Sequence, residues 1–179
     1  KSYFNLAQDG RDKEGNIIKE VAGVKQLNSI EGEYKGVRQG TGVADNRYST
    51  HSQTAITTGS KIIVMSAAEV WFLRAEAALR NYTSENVENC YKQGITVSFA
   101  QWDASGVSEY LENTNKPAAY VDAFDKKFDA DAPTSITPKW DESAPLELKL
   151  ERIITQKWLA IYPEGCEAWA EQRRTGYPR

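Results

Sequence analysis

Between Ser66 and Leu79 the apolar residues Ala68, Trp71, Phe72, Ala75, Ala78 and Leu79 recur every three to four positions. That spacing builds one face of a helix; a strand, whose side chains alternate, cannot present it. Ser66 stands three residues before Glu69, the capping-box spacing in which each side chain satisfies the other's backbone donor, and Glu76 and Arg80 pair along the outside. The pattern stops near Asn81 and Tyr82. It resumes after Ser84, with Val87, Tyr91, Gly94 or Ile95, and Ser98 or Phe99 along one side, and runs to about Trp102. Residues 63–103 therefore read as a helical hairpin, which commits the chain to a mostly α fold.

Elsewhere the signals divide the 179 residues into three further regions, within a length suited to a single domain. Residues 1–62 read as irregular and loop-rich, with room for short strands. Asp12 to Asn16 reads as a tight turn after which Ile17 and Ile18 start a strand, and Tyr34 to Ser60, broken by Gly36, Gly40, Gly42 and Gly59, reads as one long loop. Residues 104–144 read as loops and short helices, at Val107 to Leu111 and at Ala118 to Phe124 behind Pro117. Residues 145–179 hold a C-terminal helix pair. In the first helix Leu146, Leu150, Ile153, Ile154, Trp158 and Ile161 form the expected buried stripe, and Pro163 stops it; the second runs from about Glu164 to Arg174 and ends toward Gly176. Trp71, Trp102, Trp158 and Trp169 all fall on apolar helix faces and are expected in the core.

The balance of 22 basic against 25 acidic residues leaves no field that would draw a polyanion, so nucleic acid is not an expected partner. No apolar run approaches the roughly 20 residues that span a bilayer. Lys1 opens the chain without an initiator Met, a signal segment or a lipidation cysteine, so the chain reads as a soluble piece of something longer. Cys90 and Cys166 fit no zinc site, and a bridge between them is a weaker reading than two free thiols. The acidic residues from Asp9 to Glu20 miss the alternate positions of a calcium loop, so no metal and no cofactor is expected.

Counted from Trp71, small residues at Ala75 and Ala78, then Val87, aromatic Tyr91 and small Gly94, follow the spacing of a tetratricopeptide-type helical hairpin. Two stretches carry a closer likeness. Met65-Ser66-Ala67-Ala68-Glu69-Val70-Trp71-Phe72-Leu73-Arg74-Ala75-Glu76-Ala77-Ala78-Leu79 resembles the helix of SusD/RagB-like proteins in which an Ala-Glu pair precedes an apolar run and an Ala-Glu-Ala. Ile153-Ile154-Thr155-Gln156-Lys157-Trp158-Leu159-Ala160-Ile161, then Glu167-Ala168-Trp169 and Arg173-Arg174-Thr175-Gly176-Tyr177-Pro178, resembles that family's C-terminal motif. The resemblance implies a lipid-anchored protein on the cell surface of a Gram-negative outer membrane. It implies binding of an oligosaccharide or peptide nutrient, with hand-over to a TonB-dependent outer-membrane transporter and no catalysis. It also makes Arg173 and Arg174 structural, pairing with carboxylates at helix ends.

Sugar rings are held by aromatic faces and by nearby amides and guanidinium groups. That mixture occurs in the long loop at Tyr34, Arg38, Gln39, Asn46, Arg47 and Tyr48, and a second aromatic candidate is Trp140 between Pro138 and Pro145. Two other classes compete. The hairpin alone would serve a protein-interaction scaffold that takes no small ligand. A glycoside hydrolase needs only two well-placed carboxylates, and any serine or cysteine triad must use His51, the sole histidine, with no nucleophile-elbow motif to accompany it.

Overall fold

The computed structural model describes residues 4–21, 23–41, 46–52 and 63–179. It separates into two units: a helical one from the described residues of 61–117 and 133–179, and a loop-rich one from those of 2–60 and 118–132. The fold is mostly α, with one minimal strand pair among the described residues.

In the helical unit α1 spans Ala67–Leu79 and α2 spans Val87–Gln101. Ser66 caps α1, its Oγ accepting from the Glu69 amide at 3.0 Å, and Asn86 caps α2 by accepting from the Asn89 amide at 2.8 Å. Only this arm of the expected capping box forms, because the Glu69 carboxylate faces Lys157 instead, at 3.5 Å. The two helices approach closely at Gly94, where an added Cβ would lie 2.7 Å from the Phe72 ring. Ala68, Phe72, Ala75, Cys90, Tyr91 and Ile95 fill the space between and behind them. Cys90 and Cys166 are free thiols.

A short α3 spans Val107–Leu111, followed by α4 at Leu146–Ala160 and α5 at Gly165–Thr175, which closes on Gly176 in the left-handed region at φ 77°. The inward face of α4 is not the expected stripe. Ile153, Ile154, Ala160 and Ile161 are buried, but so are Glu151, Arg152, Gln156 and Lys157. Leu146 is exposed, and Trp158 and Trp169 are 44% and 61% exposed. The buried arc runs through Ile153, Gln156, Lys157 and Ala160, a helical spacing rotated away from Trp158. Trp71 and Trp102 are only part-buried, so the tryptophan of the helical core is Trp140, 7% exposed and 5.1 Å from the Tyr91 ring.

The rotation has an electrostatic cause. Lys157 is 1% exposed, and its ammonium meets Glu171 at 3.0 Å, Glu167 at 3.1 Å and Glu69 at 3.5 Å. Arg174 continues the ladder, gripping Glu76 with both Nη atoms at 2.7 and 2.6 Å and reaching Glu171 at 2.7 Å, while Arg80 holds Glu76 from its own helix at 2.8 Å. Burial alone would raise the Glu76 pKa, but the hydrogen bonds from Arg174 and Arg80 hold it below its ordinary value. Burial would lower Lys157; Glu171 and Glu167 raise it instead. Glu171 is the buried residue of α5, so this helix is held by charge pairs and not by an apolar face. The expected pairing of Arg174 with carboxylates is therefore present, whereas Arg173 lies over the Trp169 ring at 4.6 Å.

The loop unit is built on turns. Asp12 Oδ1 accepts from the amides of Glu14 and Asn16, and Gly15 takes φ 86°, which closes the expected turn and lets Arg11 bridge Ile17. The strands β1, Glu20–Val21, and β2, Val24–Lys25, pair antiparallel with Val21 opposite Val24. The helix expected at Ala118 to Phe124 does not form. Tyr120 bridges Ala130 in extended pairing, and Asp122 draws the amides of Phe124 and Asp125 onto its own carboxylate at 2.9 and 3.1 Å. A short polar side chain that captures nearby amides competes with the helix ladder.

Candidate functional site

Of the loop residues singled out for ligand contact, Tyr48 and Arg38 stand against Asp122, which is fully buried. Its carboxylate accepts from Tyr48 Oη at 3.2 and 3.4 Å and from Tyr120 Oη at 3.2 Å, besides the two amides, and Arg38 Nε stands 3.8 Å away. Burial acts to raise the Asp122 pKa, and the bonds from Phe124, Asp125, Tyr48 and Tyr120 together hold it below the usual carboxylate value. Its capacity as an acceptor is spent on holding the loop.

Arg38 lies over the Phe128 ring at 3.5 Å and Lys35 over Tyr120 at 4.6 Å. Tyr48 is 5% exposed, packed edge-on against His51 at 5.0 Å and Phe124 at 5.4 Å. The Arg47 guanidinium lies over the Tyr48 ring, 5.6 Å from its centre. Asn46 opens the 3-10 turn Asn46–Tyr48. Tyr34 stays largely exposed, as does Gln39. Residues 42–45 and 53–60 of the long loop lie outside the described residues. The structure thus brings Arg38, Arg47 and Tyr48 to one cluster; Trp140 belongs to the helical unit, its indole N–H donating to Glu142 at 2.8 Å.

His51 is 1% exposed, and neither ring nitrogen bonds to any described residue. Burial pushes its pKa below the ordinary value, against the attraction of Asp122 and with a small push from Lys35. A triad histidine is oriented by the N–H bond it donates to a carboxylate. Here the Asp122 carboxylate accepts from phenols and backbone amides instead.

The mixture of aromatic, amide and guanidinium groups expected in the loop also occurs on the helices. An open groove at the α1–α2 corner is lined by Trp71, Arg74, Glu85, Asn86, Asn89 and Gln93. Arg74 is stacked over the Trp71 ring at 3.8 Å and bonded through Nε to both Glu85 oxygens at 3.1 and 3.2 Å. The signal was present as the polar stripe Asn86, Asn89, Gln93 at spacings of three and four on the outer face of α2. Among the described residues no cluster of metal-ligating side chains occurs, and no helix is long and apolar enough to cross a membrane.

Comparison with known proteins extends the likeness over nearly the whole chain. A family model described as SusD-like, "Susd and RagB outer membrane lipoprotein", matches residues 2–179. Among solved structures, a SusD homologue from Bacteroides vulgatus is 39% identical with a TM-score of 0.79, covering 98% of this chain and 34% of its own. A SusD homologue from Bacteroides thetaiotaomicron is 38% identical with a TM-score of 0.78, covering 86% of this chain and 33% of its own. A chitin-binding SusD homologue from Flavobacterium johnsoniae is 39% identical with a TM-score of 0.76, covering 99% and 34%. No curated relative matches. The chain spans about a third of the length of these solved structures. With motif, helical frame and family model in agreement, the chain belongs to the SusD-like family of outer-membrane lipoproteins.

Proposed function

We propose that this chain forms part of a cell-surface glycan-binding protein of the outer membrane, which takes up an oligosaccharide and passes it to a TonB-dependent transporter without chemical change. The observation that carries this reading is the family match over residues 2–179, and the 39% identical Flavobacterium homologue described as chitin-binding supports a glycan over a peptide. In the loop unit, exposed Tyr34 and the Arg47 guanidinium over the Tyr48 cluster supply the apolar and polar contacts that saccharides use. Membrane attachment in this reading is through a lipid anchor, not a spanning helix.

Calorimetric titration of the chain with chitohexaose, maltohexaose, cellohexaose and xylohexaose tests it, with chromatography of each sugar after incubation. Heat of binding for one or more sugars, with every sugar recovered intact, is the expected result. New products would make the protein a hydrolase. Silence across the panel, alongside co-purification with a transporter, would favour a scaffold of helical repeats that takes no small ligand.

A further inference from the structure

The α1–α2 corner is an array of polar groups left unengaged beside an aromatic ring. Glu85 holds Arg74 through Nε and Nη2, which fixes the guanidinium over the Trp71 ring and leaves Nη1 without a partner among the described residues. Asn86 uses its Oδ1 to cap α2, so its Nδ2 is free of hydrogen bonds there, as are the whole side-chain amides of Asn89 and Gln93. Asn86, Asn89 and Gln93 are exposed and point along one line, spanning about 10 Å of helix.

The chemistry of this corner selects a ligand class. Its single cation is paired with its single anion, so neither a charged peptide nor a phosphate gains by entering. Trp71 is the one large apolar side chain in the lining, too little for an amphipathic helix, which needs a continuous apolar groove. What remains is a row of groups that each donate or accept, beside an indole. A hydroxyl is both donor and acceptor, and a row of hydroxyls around a ring with an apolar face matches such a row. Because Arg74 is held by Glu85 over the Trp71 ring, that part of the groove needs little ordering when a ligand arrives.

We propose that the groove of Trp71, Arg74, Glu85, Asn86, Asn89 and Gln93 is a saccharide subsite on the helical hairpin, separate from the loop residues. The inference rests on the glycan-binding reading above and adds a location to it.

The test is the double variant Asn89→Ala/Gln93→Ala in the full chain, titrated with the same four hexasaccharides. Alanine is the better helix former at both exposed positions, so the fold is retained. Two lost neutral hydrogen bonds predict about tenfold weaker binding. Glu88→Ala, on α2 outside the groove, should bind as the parent does. As a second readout, the Trp71 indole N–H resonance should shift on addition of the sugar that binds.

If the double variant binds with parental affinity and the indole does not shift while the parent binds sugar, the subsite is wrong and the glycan reading stands. If the parent binds no sugar of the panel, both fail. If an uncharged extended peptide such as hexaserine shifts the indole and no sugar does, the groove is a peptide site and the proposal is overturned.

Discussion

The helical unit and the loop unit bury charge for opposite purposes. In α1, α4 and α5 the backbone is satisfied within each helix, so the carboxylates of Glu69, Glu76 and Glu171 are left to meet Lys157 and Arg174 across helices. In the loop unit the backbone has little regular pairing beyond β1 and β2, and Asp9 and Asp122 spend themselves on it. Asp9 accepts from the Ile30 amide at 2.8 Å, from Ser29 Oγ at 2.7 Å and from Gln26 at 2.8 Å, as Asp122 does from Phe124 and Asp125. Charge in one region selects which helix face turns inward; in the other it replaces secondary structure.

The largest expected effect comes from breaking the first arrangement. Lys157→Met strands Glu69 and Glu171 with one cation fewer in a buried setting and should cost about 3–5 kcal/mol in denaturant unfolding of the helical unit. A loss near zero would show that the ladder is solvated. Next is Asp122→Ala, which removes the acceptor of two phenols and two amides and should cost about 3 kcal/mol. Hydrogen exchange should show faster opening at Phe124 and Asp125 with α1 and α2 unaffected; exchange rising equally in both units would dissolve the distinction.

Gly94→Ala tests the apolar part of the helical unit. Its Cβ would press on Phe72 at 2.7 Å inside a filled core, so despite the better helix propensity of alanine a net loss of about 1–3 kcal/mol is expected by thermal melting. The units should also part on acidification. His51 in the loop unit has a folded pKa below its unfolded value near 6.5, so its neutral form contributes stability above that pH, lost as pH falls from there toward the folded value. Glu76 in the helical unit also has a folded pKa below its unfolded value, but that value is near 4.5, and its contribution is lost only as pH falls through the folded one. Between about pH 6.5 and 5 the loop unit alone should weaken, and His51→Gln should remove the step in a pH series of exchange rates. The smallest effect is predicted for Trp169→Ala, within about 0.5 kcal/mol in a denaturant titration, since the ring is exposed; a multi-kcal loss would return it to the core.

Most helices were legible because their causes are local. Ser66 starts α1 through its side-chain cap and Gly176 closes α5 in the left-handed region, and the periodicity of Ala68, Phe72, Ala75 and Tyr91 survives into the core. Pro117 misled because Asp122 offers amides a better partner than the helix does. Of the loop candidates, Tyr34 remains exposed, whereas Tyr48 and Trp140 are packed inside; an aromatic ring in a loop says nothing about which side of it meets solvent.

The amino-acid sequence by itself determined the family motif, the positions of α1 to α5 and the hairpin spacing that requires glycine at 94, because each depends on neighbours a few residues apart. The tertiary structure alone decided that Lys157 points in and Trp158 and Trp169 point out. A lysine is cheaper inside than a tryptophan only where carboxylates from two other helices converge on it, and Glu69 and Glu171 reach that point from 88 and 14 residues away in opposite directions along the chain.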